Sequence, residues 1–80
     1  MTSNRTVPLC DLPAGKHGTM VDLKGGLGFV GRMSALGFTP GTEITVVRNS
    51  GRGPIIVSVM ETQIALGRGQ AAKVRVRLGQ

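Results

Sequence analysis

Tryptophan and tyrosine are absent, and only Phe29 and Phe38 carry aromatic rings. A chain so poor in aromatic faces lacks the platforms on which single-strand nucleic-acid binders stack bases. It also lacks the aromatic groove that reads proline-rich peptides. Cys10 is the only thiol, which excludes an internal disulfide and a cysteine-rich metal site and fits a reducing compartment. His17 is the only histidine. The acids are few: Asp11, Asp22, Glu43 and Glu61 fall on separate segments and suggest no general acid–base pair. No apolar run is long enough to span a bilayer as a helix, and Met1 to Arg5 lack the apolar stretch of a signal peptide. These absences predict a soluble, cytoplasmic, non-enzymatic protein that meets a membrane only through a partner.

What is present is glycine and positive charge. Thirteen glycines and four prolines in 80 residues imply short elements and tight turns, which favours a small barrel over a helix bundle. A chain of this length folds as one domain and buries roughly 60–65% of its unfolded surface, leaving little room for a deep, dry active site. The formal charge of +6 raises the prospect of a nucleic-acid partner. The cations are dispersed, however, over Arg32, Arg48, Arg52 and Arg68 before the row Lys73, Arg75 and Arg77.

Apolar periodicity orders the elements. Residues 19–24 alternate and predict a strand with Val21 and Leu23 inward. At Leu27 the period changes: Phe29, Val30, Met33 and Leu36 share one arc of a helix running to Leu36. Gly37 is placed to close that helix in the left-handed conformation, with Phe38 folding back on the last turn. Residues 43–48 alternate with Ile44 and Val46 inward, and residues 54–60 with Ile55, Val57 and Val59 inward. Residues 63–66 form a short return strand, residues 67–72 a helical turn, and residues 73–78 a last strand with Val74, Val76 and Leu78 inward. The fold expected is mainly β: a five-stranded, partly open SH3-like barrel. One short α-helix follows its first strand and a helical turn precedes its last. The domain spans residues 7–78, after a short tail of residues 1–6.

Two patterns carry chemical interest. Gly26-Leu27-Gly28-Phe29-Val30-Gly31 reads as the G-x-G-x-x-G of dinucleotide sites, but hairpins follow where that fold needs crossover helices. The glycines are therefore expected to serve a tight turn and close packing of the helix on the sheet. His17 is the one candidate metal ligand, and imidazole rarely holds a transition metal alone.

Four stretches in order resemble the FeoA family across nearly the whole chain. Leu9-x-x-Leu12-x-x-Gly15-x-x-Gly18 is similar to its usual lead into the first long strand. Arg32-Met33-x-x-Leu36-Gly37-Phe38-x-Pro40-Gly41-Thr42 resembles R-L-x-x-L-G-(L/F)-x-P-G-T, with Met33 where Leu is usual. Gly53-Pro54-Ile55-x-Val57-x-Val59 and Ile64-Ala65-Leu66-x-Arg68-x-x-Ala71-x-x-Val74-x-Val76 complete the set. The sequence departs from the family at Gly67, where Arg is frequent, and at Met60-Glu61-Thr62, where Gly usually follows the strand. The resemblance implies an SH3-like barrel acting beside FeoB, the membrane GTPase that takes up ferrous iron, and touching its cytosolic GTPase domain. No cofactor is expected to be required, and His17, from the residue reading above, is the candidate for iron or zinc. Arg32, Met33, Leu36 and Phe38, around the helix end, are the candidate contact residues. The alternative is a small basic nucleic-acid-binding or repressor-associated SH3-like module using Lys73, Arg75 and Arg77.

Overall fold

A computed structural model describes residues 5–78. Residues 1–4 of the expected tail lie outside that range. The described residues form six strands: β1 (Thr6–Pro8), β2 (His17–Leu23), β3 (Glu43–Arg48), β4 (Ile55–Val59), β5 (Thr62–Leu66) and β6 (Val74–Leu78). Two helices interrupt them, α1 (Leu27–Ala35) and the single turn α2 (Arg68–Ala71), and a short 3₁₀ turn covers Leu9–Asp11. All pairings are antiparallel in one open sheet of order β1-β6-β2-β3-β4-β5. The expected barrel gains one strand. β1 is too short to show a period, and it exists because β6 pairs with it, Val7 opposite Val76.

Alternation dictates the core wherever a strand is regular. Ile44 and Val46, then Ile55, Val57 and Val59, then Val74 and Val76 are fully enclosed, joined by Leu9, Leu12, Met20, Leu66 and Ala71. β2 departs from expectation: Met20, not Val21, is buried. The reason lies in the ladder, where Met20 pairs with Val76 and Asp22 with Arg75, so that Val21 is an extra residue. This bulge lets Met20 and Leu23, an odd number apart, both reach the core. A second bulge at Val47 follows the pair Val46–Val57 and leaves Val47 exposed. Both bends coil the sheet around its contents.

Gly26, the first glycine of the G-x-G-x-x-G pattern, caps α1 and meets open space. Close packing falls instead to Gly25, just before the pattern, where a Cβ would sit 2.8 Å from the Phe29 ring. Gly28 and Gly31 face open space on α1, contrary to the expectation that they pack on the sheet.

The β3–β4 connection is fastened by Asn49. Its Nδ2 donates to the carbonyls of Cys10 (3.1 Å) and Leu12 (2.8 Å), and its Oδ1 accepts from the Gly51 N–H and from Arg68. Arg68 also donates to the carbonyls of Gly53 and Cys10. One amide and one guanidinium thus tie the hairpin loop to the 3₁₀ turn and α2, whose Leu9 and Ala71 are themselves enclosed in the core.

Candidate functional site

Glycine decides where the side chains at the end of α1 go. Gly37 adopts φ +106°. Its N–H donates to the Ser34 carbonyl and that of Phe38 to the Met33 carbonyl, both at 3.0 Å, which is the Schellman closure. This reversal turns Phe38 inward onto Met33. Phe38 is 0% exposed and Met33 1%, so both are core residues. The expectation that they contact a partner is corrected on that ground: neither offers a surface. Leu36 lies on the other side of the same turn at 48% exposure, with Arg32 also exposed.

A residue outside the expected set completes this corner. Met60 is 73% exposed, and its sulfur would lie 3.4 Å from a Cβ built at Gly37. Met60 and Glu61 form the two-residue loop between β4 and β5, with φ of 50° and 67°. Such primed turns call for Asn-Gly, since both central residues must enter the left-handed region. Bulky residues there are strained by about 1–2 kcal/mol each. A large apolar side chain is therefore held in solvent, at a cost, against Gly37, the residue that follows the exposed Leu36. The sequence signal was the missing glycine after Val59.

His17 stands at the start of β2. Its Nδ1 lies 2.7 Å from Glu43 Oε2, both groups being more than half exposed. His17 also borders an open recess of about 410 Å³ with Arg5, Asp11, Lys16 and an apolar floor of Val7, Leu12 and Leu78. Among the described residues no three His, Cys, Asp or Glu side chains stand together as a metal would need. His17 and Glu43 are thus two donors without a third, and the residues present do not fit a closed transition-metal site. Cys10 is half-buried, and burial, with the Asp11 carboxylate behind it, pushes its thiol up and away from reactivity.

The basic row of β6 is less free than its sequence suggests. Arg75 forms a two-pronged pair with Asp22, at 2.8 and 2.9 Å. That hydrogen bonding holds the Asp22 carboxyl below the usual aspartate range and raises the guanidinium. Lys73 lies 5.2 Å from the centre of the Phe29 ring. Arg77 is exposed between Thr6 and Thr19 on the flanking strands. One of the three charges is internally compensated, which weakens the row as a phosphate-binding surface. No helix among the described residues is long and apolar enough to cross a membrane.

Comparison with known proteins agrees with the geometry. The model of the FeoA domain matches residues 7–78. A protein of Methanocaldococcus jannaschii provisionally named Fe(2+) transport protein A is 33% identical over 69 residues, which are 86% of this chain and 83% of that one. A crystal structure of an iron uptake regulatory protein, FeoA, is 37% identical and superposes with a TM-score of 0.86, covering 91% of this chain and 97% of that one. The zinc-complexed FeoA of Stenotrophomonas maltophilia, described as a procaryotic SH3 domain protein, is 27% identical with a TM-score of 0.73 and covers 96% and 88%. A manganese-dependent transcriptional repressor shares the fold at 18% identity and a TM-score of 0.83, over 95% of this chain and 43% of its own.

Proposed function

From the premise that the chain belongs to the FeoA family, a family of ferrous iron transport, we propose that it is a non-enzymatic accessory module acting in the cytoplasm. In this reading it binds the cytosolic GTPase domain of the transporter FeoB and modulates uptake. The observation that carries the reading is the corner of Leu36 and Met60. These are two of the four exposed large hydrophobics among the described residues, with Arg32 on the same helix end as Leu36. The other two, Leu27 and Val47, lie at the start of α1 and at the bulge of β3. Small domains leave such groups in water singly; a strained turn that holds Met60 against Gly37, next in the chain to Leu36, supports reading this corner as a contact surface. Iron is the cargo of the transporter in this scheme, and no step is assigned to a metal on this chain.

The test is a binding isotherm of the purified chain against that GTPase domain. Leu36→Lys and Met60→Lys should each weaken binding at least tenfold while the melting temperature stays within a few degrees, because both side chains are largely in solvent. Unchanged affinity in both variants, or no binding by the native chain, would remove the proposal.

A further inference from the structure

The two edges of the sheet are protected unequally. β1 is three residues long and includes Pro8, which has no N–H to offer. β5 has none of the devices that blunt an edge. Thr62-Gln63-Ile64-Ala65-Leu66 carries no charge and no proline, and its register with β4 runs without a bulge. The turn fixes which of its backbone groups are free. In a two-residue hairpin the flanking pair, here Val59 and Thr62, exchanges both hydrogen bonds, and bonded pairs then recur at every second residue. Thr62, Ile64 and Leu66 therefore face β4. The N–H and C=O of Gln63 and Ala65 point away from it, and both residues are exposed. Among the described residues no backbone group of this chain pairs with them.

We propose that β5 pairs antiparallel with β5 of a second copy about a two-fold axis at Ile64, giving a weak symmetric dimer with a continuous sheet. The register is self-complementary. With Ile64 on the axis, Gln63 of one copy meets Ala65 of the other, and both outward-pointing residues on each side find partners. Ile64, half-buried in the monomer, is covered by its mate. The charges flanking the edge favour the same arrangement. Glu61 stands at one end and Arg68 at the other, and among the described residues Arg68 is bonded to the neutral acceptors of Asn49, Cys10 and Gly53 and to no carboxylate. Antiparallel pairing brings the Glu61 end of each copy beside the Arg68 end of its mate. The formal charge of +6 on each chain opposes association, and the contact is small, which places the dimer in the high-micromolar to millimolar range. This inference is independent of the transporter reading.

The experiment is a dilution series of ¹⁵N-labelled chain followed by amide resonances, with sedimentation in parallel. The amides of Gln63 and Ala65 should move downfield with concentration, together with a rise in sedimentation toward the dimer mass. Ala65→Pro removes one outward N–H without touching a bond to β4, so it should abolish the concentration dependence and leave other resonances native. Ala65→Lys, which sets like charges diagonally across the axis, should do the same if the proline variant fails to fold. A monomer at millimolar concentration would overturn the proposal. So would concentration-dependent shifts confined to the β1 edge, or association unchanged in the Ala65 variants.

Discussion

Replacing Asn49 with Ala removes a polar side chain whose hydrogen bonds hold three segments in place. Four hydrogen bonds are lost at once: two donated to the Cys10 and Leu12 carbonyls and two accepted from Gly51 and Arg68. At a net value of about 1 kcal/mol each the sum is about 4 kcal/mol. The site is only partly buried, so water recovers some of the orphaned carbonyls, and the expected loss is about 2–3 kcal/mol. For a domain of this size each kcal/mol corresponds to roughly 4–8 °C, so thermal unfolding should drop by about 10–20 °C. Arg68→Ala should cost less. The double variant should cost less than the sum of the singles, since both removals break the same Asn49–Arg68 bond at 3.0 Å. Calorimetry or denaturant titration of the four proteins reads this directly. An Asn49→Ala protein within 0.5 kcal/mol of the parent, the ordinary scatter of surface changes, would refute the assignment of the hub as a structural fastening.

Three further outcomes follow from particular positions. Gly28→Ala and Gly31→Ala, each facing open space on α1, should stabilise the protein by about 0.5–1 kcal/mol apiece, seen as a higher denaturant midpoint with the same slope. Met60→Asn with Glu61→Gly supplies the residues a primed turn prefers and should add about 1–2 kcal/mol while weakening any contact made through Met60. Asp22 titrates below its unfolded value because Arg75 bonds its charged form, so its contribution is present at neutral pH and lost as pH falls through the folded value. Melting temperatures in acid should fall less steeply for Asp22→Asn, and the difference should be small because both partners are well exposed.

The fold was legible where side chains alternate without interruption. Ile44, Val46, Ile55, Val57, Val59, Val74 and Val76 announce their strands, and Gly37 announces both the end of α1 and the inward turn of Phe38. Legibility failed at the bulges. An inserted residue flips the pleat, so Val21 in sequence occupies an inward position that Met20 takes in the fold. β1 was invisible because only the neighbouring β6 makes it a strand. Of the four candidate contact residues, exposure separates two from two. Arg32 and Leu36 are exposed while Met33 and Phe38 are enclosed, and periodicity alone cannot separate Leu36 from Met33, which share one arc at the end of a short helix. The exposure of Met60 had no signal in the apolar period because a turn residue has none, and it depends on φ values that sequence does not display. The network of Asn49 and Arg68 joins residues 19 apart and likewise has no local signature.

The most direct measurement is an amide-resonance titration of the labelled chain with the cytosolic GTPase domain of the transporter, with and without GTP. The account predicts shifts gathered at Arg32, Leu36, Gly37 and Met60, with the amides of β6 unmoved. A flat titration, or shifts centred on Lys73 to Arg77, would contradict it.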